Sequence, residues 1–158
     1  MNFCCEEYDL AIRLLEFATV TLKKWSDDES KRILIINKAQ AYKWNGHNDI
    51  CQNIINSTDW SACDYKFKLS MQVLLDDFEN ASETMKLIGT NGSIKKSDYR
   101  TWPLFKEFVK TEIFLRTYED IYGEVYCSSQ YTFSQNISVD IKYELDEVAV
   151  SKEVIDKI

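Results

Sequence analysis

Apolar residues recur at helical spacing through most of this chain. In "EYDLAIRLLEFATVTLKKW" (Glu7–Trp25), Tyr8, Ala11, Ile12, Leu15, Ala18 and Leu22 mark one face, and Leu10, Leu14 and Phe17 broaden it. That predicts a helix apolar enough to be covered on more than one side. The polar run "SDDES" ends it and offers N-caps for a second helix, "KRILIINKAQAYKW", with Ile35, Ala39 and Tyr42 on one stripe. The turn "NGHN" closes the second helix, because Asn and Gly tolerate positive φ. A short third helix, "NDICQNIIN", carries Ile50, Cys51, Ile54 and Ile55.

After the capping cluster "STDWSACD" around Trp60, "YKFKLSMQVLL" predicts a fourth helix with Phe67, Met71, Leu74 and Leu75 apolar. It breaks at "DDF" into a fifth, "FENASETMKLI", with Phe78, Ala81, Met85 and Ile88 inward and Gly89 as its stop. "TWPLFKEFVK" reads as a further helix, with Pro103 in its first turn and Leu104, Phe105 and Phe108 apolar. The last clear helix, "EIFLRTYEDIY", has Thr111 as its cap, Phe114, Tyr118 and Ile121 inward, and Gly123 as its stop.

Then the period changes. From Tyr131 to Leu145, "YTFSQNISVDIKYEL" alternates: Tyr131, Phe133, Ile137, Val139, Ile141, Tyr143 and Leu145 are apolar or aromatic, Gln135 alone breaks the series, and the residues between are polar. A period of two predicts an amphipathic β-strand. "DEVAVSKEVIDKI" follows, with Val150, Val154 and Ile158 spaced for a short helix over residues 148–158. The chain is therefore expected to be all-α over residues 1–126, built of antiparallel hairpins with short connections, with a C-terminal arm over 127–158.

Composition sharpens this picture at a few points. With 158 residues, 45% of them hydrophobic, the chain can bury one real core. Only 4 Gly and 1 Pro argue against an all-β fold. The net charge of -7 argues against nucleic acid as a partner, since phosphate contacts need a clustered basic surface. "SIKKSDYR", with Lys95, Lys96 and Arg100, is the local exception on which a nucleic-acid regulator would depend. No apolar run approaches the ~18 residues of a spanning helix, and the N-terminus lacks the form of a signal peptide. Five cysteines without C-x-x-C spacing fit a reducing compartment, so the expected location is cytoplasmic.

Chemistry-bearing constellations are sparse. Asp76, Asp77, Glu79 and Glu83 are the candidate carboxylates of a rival, enzymatic reading, but capping and solvation explain acids astride a helix turn. Cys4–Cys5 are the candidate nucleophiles of that same reading. His47 has no companion to complete a zinc site, and "GTNG" lacks the Lys of a phosphate loop. No catalytic residue, cofactor or metal is therefore assigned. Trp25, Trp44, Trp60 and Trp102, with Tyr42, Tyr65 and Tyr99, fall near helix ends, where aromatics either cement hairpins or anchor a partner.

Two hairpins share a signature. "AQAYKWNGHNDICQNII" and "SMQVLLDDFENASETM" each join two helices by a tight turn, then place a small residue (Cys51, Ala81) four positions before a bulky one (Ile55, Met85). Ala11 and Leu15 repeat the pairing in the first helix. Small residues there let helices approach closely. The arrangement resembles the tetratricopeptide repeat, a helix–turn–helix unit: Ala39, Tyr42, Gly46, Cys51 and Ile55 match one copy, and Phe78, Ala81, Met85 and Ile88 a second. "WPLFKEFVKTEIFLRTY" looks like the cap closing such arrays. The intervals between copies are irregular, and the first consensus Trp and the closing Pro are absent. The wording is also similar to helical-repeat regions of bacterial proteins, some of them in multidomain, defence-related systems.

The resemblance implies a short right-handed array and a non-enzymatic adaptor or regulator that binds another protein. The partner-binding candidates are Tyr42, Trp44 and Trp60 on the helices and Phe133, Ile137, Val139, Ile141 and Tyr143 on the arm. A lone strand cannot satisfy its own backbone. The arm is accordingly expected to pair with its equivalent in a homodimer or with a partner's sheet edge, and less so to pack back on its own helices. A first helix of the second type, with no first-type helix before it in the sequence, would expose a face to be covered by the tail, a second copy or another protein.

Overall fold

A computed structural model of the chain describes residues 3–21 and 27–127, with side chains from Glu7 onward. Every regular element among these residues is helical. α1 spans Phe3–Thr21, α2 Asp28–Trp44, α3 Asn48–Asn56, α4 Tyr65–Leu74, α5 Phe78–Ile88, α6 Asp98–Thr101 and α7 Glu112–Tyr122, with two 3-10 turns at Pro103–Phe105 and Phe108–Lys110. There is no strand among the described residues. The alternating segment Tyr131–Leu145, the segment 148–158 and residues 22–26 lie outside them. The helical unit ends at Glu124.

Side chains fix the helix starts. Asp27 accepts the Ser30 amide at 2.6 Å, Asp64 the Lys66 amide at 2.8 Å, and Thr111 Oγ1 the Phe114 amide at 3.3 Å. α2 thus begins three residues ahead of the "KRIL" expected from apolar spacing. Gly123 ends α7 in the left-handed conformation at φ 66°, its amide donating to Glu119 O at 2.8 Å. At Gly92 the need is for space: a Cβ there would lie 2.5 Å from Ile88.

Consecutive helices pack on one another: α1 on α2, α2 on α3, and α4 on α5. The pair α2–α3 joins α4–α5 mainly through α2 against α4. A helix with three packed neighbours needs more than one apolar stripe. Ile36 and Ala41 are accordingly buried with Ala39, whereas Ile35 and Tyr42, expected inward, are only half-buried. The small-then-bulky pairs Cys51/Ile55 and Ala81/Met85 are all at most 1% exposed.

"TWPLFKEFVK" departs from the expected single helix. Trp102, held extended before Pro103 (φ -85°, ψ 115°), breaks the chain after α6, and two 3-10 turns replace the helix. These short pieces wrap an aromatic core. Phe78 stacks on Phe108 at 5.5 Å, Phe108 meets Phe114 at 5.0 Å, and Tyr99 meets Phe105 at 4.9 Å.

The joint between hairpins is polar. Lys43, in the last turn of α2, is 8% exposed. Its ammonium donates to Leu74 O at 2.8 Å and Val73 O at 3.4 Å, and pairs with Asp76 Oδ1 at 2.5 Å. It thereby caps the Leu74 carbonyl at the end of α4, shares Val73 O with the Asp76 amide (3.2 Å), and complements that end of the helix dipole. Asp76 is the one described non-glycine residue with positive φ, at 59°.

Lys43→Met should lower unfolding free energy by about 2 kcal/mol, because the α4 carbonyls lose a buried donor. Asp76→Ala loses the ion pair and keeps the backbone strain. Asp76→Gly relieves that strain and should be more stable than Asp76→Ala by about 1 kcal/mol. Urea unfolding midpoints at constant slope measure both; equal midpoints for the Gly and Ala variants would remove strain from the account.

Candidate functional site

The helix-borne binding candidates make contacts within the chain. The Tyr42 hydroxyl donates to Glu16 Oε1 at 2.5 Å, tying α2 to α1. That carboxylate, with partial burial and its own negative charge, pushes the Tyr42 phenol up to about 12. Trp44 is half-buried under the Lys106 ammonium, 4.2 Å from its ring centroid, with Lys43 at 5.7 Å on the same ring. The Trp60 indole N–H donates to Ile55 O at 2.9 Å, closing the end of α3. Phe133, Ile137, Val139, Ile141 and Tyr143 lie outside the described residues.

The acidic run is divided among separate tasks. Asp76 holds Lys43. Asp77 caps α5 through the Asn80 amide at 3.4 Å and its carboxamide at 2.8 Å. Glu83 pairs with Lys86 at 2.8 Å one turn on. These acids do not converge on a common point. Cys51 is buried with Sγ 3.9 Å from Leu74 O, and burial pushes its thiol up to about 11, away from the thiolate a nucleophile needs. His47 sits in the α2–α3 turn, edge-on to Tyr42 at 6.1 Å. Among the described residues no group of three His, Cys, Asp or Glu side chains is placed to hold a metal ion.

Two cations of the basic turn pair with one carboxylate just beyond α7. Lys96 Nζ pairs with Glu124 at 2.5 Å, Arg100 reaches the same carboxylate at 3.7 Å, and Lys95 donates to Gly92 O at 2.9 Å. The Lys96 bond and both cations hold the Glu124 carboxyl below its usual range. A phosphate would have to displace this carboxylate.

What the spacing did not single out is a crevice of about 110 Å³ where α2, α4 and the residue before Pro103 meet. Ile33 and Ile36 of α2, Phe67 of α4 and half-exposed Trp102 form apolar walls, with Asn37 and Ser70 as polar neighbours. Ser70 Oγ donates to Lys66 O at 2.7 Å, whereas Asn37 is exposed at the rim. The Lys66 ammonium at the same rim is paired with Glu29. The signal was present as the spacing Ile33–Ile36–Asn37, a second stripe on α2. That Trp102 closes the stripe depends on a contact between residues far apart in sequence.

No family model, curated protein or solved structure matches the chain. Among the described residues no helix is long and apolar enough to cross a membrane.

The Tyr42–Glu16 bond has a definite pH signature. Because the folded phenol holds its proton to about pH 12, its contribution to stability is whole below pH 10 and declines as pH rises from 10 toward 12. Tyr42→Phe should cost about 1 kcal/mol at pH 7. The gap between wild type and variant in urea midpoint should close across that alkaline window. A gap independent of pH would contradict the bond.

Proposed function

We propose that this chain is a non-enzymatic adaptor or regulator, a short tetratricopeptide-like array that takes a segment of another protein into the crevice between α2 and α4. The observation that supports the reading is the crevice itself. Ile33, Ile36, Phe67 and Trp102 supply apolar walls with room for one side chain, and the exposed Asn37 carboxamide at the rim is suited to a peptide backbone. Ile33, 43% exposed, leaves the floor open to solvent. A helical scaffold with an apolar pocket and a polar edge suits the binding of an extended segment, since affinity comes from one anchor and register from the backbone contacts.

The hairpin signature favours this reading over an enzymatic one, for which Asp76, Asp77 and Glu83 are engaged in pairing and capping; the Cys4 and Cys5 side chains lie outside the described ones. The resemblance to helical-repeat regions of bacterial multidomain and defence-related systems makes an accessory role in such a system part of the same proposal, with the cytoplasm as its setting. The C-terminal arm, as a strand pairing with a partner's sheet edge, would add a second contact.

Selection of peptides from a random displayed library on the immobilised protein tests the crevice without knowing the partner. Enriched peptides should share one apolar anchor position. Their affinity should fall roughly tenfold or more for Ile33→Glu, a loss typical of spoiling an anchor pocket, while helicity measured by circular dichroism stays unchanged. No enrichment, or binders indifferent to Ile33→Glu, would refute the site.

A further inference from the structure

Among the described residues α1 packs chiefly on α2, and Ile12 is its buried apolar residue. On the opposite side Leu10, Leu14 and Phe17, spaced four and three apart, are 59%, 61% and 69% exposed, with Val20 beside them at 78%. This is the spacing of a helix–helix seam. It adjoins an open groove of about 380 Å³ between α1 and α2, floored by Ala11 and Ala41 and walled by Leu14, Leu15, Asn37 and Gln40. Within it Gln40 Oε1 is shielded from solvent and accepts no hydrogen bond. The groove is wide, small residues floor it, and a bulky apolar ridge runs along its edge.

We propose that the occupant is a second copy of this chain, with α1 packed antiparallel against the partner's α1 about a two-fold axis. Self-complementarity is the first argument. An axis passing between Leu15 and Glu16 sets Leu14 against the partner's Phe17 and Ala11 against the partner's Ala18. Arg13 then faces the partner's Val20, so that no like charges meet along the seam. The small pair permits close approach where the two ridges meet, beside the groove of each copy. Area is the second argument. The four exposed side chains present on the order of 500 Å² of apolar surface, at the upper end of the largest patch on an ordinary monomer. With the groove walls, two copies would bury roughly 1,200 Å², at the lower bound of specific interfaces. Charge is the third. Each copy carries -7, so a seam of Leu, Phe, Val and Ala should tighten as salt screens the repulsion, whereas an interface built on ion pairs would weaken. The Leu10–Phe17 ridge takes no part in the α2–α4 crevice, although Asn37 lines both the crevice and the groove; Leu14→Asp tests the ridge alone and Ile33→Glu the crevice alone.

Light scattering of the full chain over a concentration series decides it. The expected mass rises from the monomer's 18.6 kDa to twice that value, at lower concentration in high salt. Leu14→Asp should weaken association roughly tenfold or more, whereas Leu87→Asp, at an equally exposed residue of α5, should leave it unchanged. A photo-crosslinking amino acid at position 14 of the otherwise native chain should join two copies through α1, which guards against a variant that merely unfolds. A monomer at every concentration and salt, a dimer that survives Leu14→Asp, or crosslinks that avoid α1 would each overturn the proposal.

Discussion

The helical unit depends on one buried cation. Lys43 lies at the end of α2, and its ammonium finds its partners thirty and more residues away, on the last carbonyls of α4 and on Asp76 in the turn that follows. Burying an ammonium is costly unless its hydrogen bonds are made. Here the main acceptor is the Leu74 carbonyl, for which α4 has no donor of its own, so the ammonium and that carbonyl satisfy one another. Asp76 adopts a left-handed backbone in the same place, and its carboxylate position follows from that turn. The register of α2 against α4 is thereby set by polar geometry as well as by the apolar faces around it.

That register shapes the surface. With α2 and α4 fixed side by side, Ile33, Ile36 and Phe67 face a common crevice that Trp102 closes from the segment before Pro103. α1 is held on the other flank of α2 by the Tyr42–Glu16 bond and by Asn45 donating to Asp9 at 2.8 Å. These polar links orient the helix while leaving its Leu10–Phe17 ridge in solvent. Both candidate contact surfaces are consequences of how α2 meets its neighbours.

Much of the local structure was legible in the sequence. Thr111 and Gly123 bound α7 as their chemistry requires, and Cys51, Ile55, Ala81 and Met85 lie in the core as the paired signature implied. Caps and turns depend on a few adjacent residues, so pattern reveals them. The single helix expected over "TWPLFKEFVK" did not form, because the restriction on the residue before proline outweighed the apolar spacing. The inward stripe of α2 was read one residue off at Ile35, since a helix with three neighbours has no single apolar face. The crevice and the Lys43 joint were beyond reach for a further reason. Each is a meeting of side chains distant in sequence, and periodicity carries no information about which helix stands opposite.

The central claim is that the Lys43 joint makes α2 and α4 one cooperative body, and native-state hydrogen exchange tests it most directly. Slowly exchanging amides of α2–α3 and of α4–α5 should converge on the same opening free energy as denaturant is raised, and Lys43→Met should separate them. Two distinct opening energies in the wild-type chain, with α2–α3 released well before α4–α5, would contradict the account.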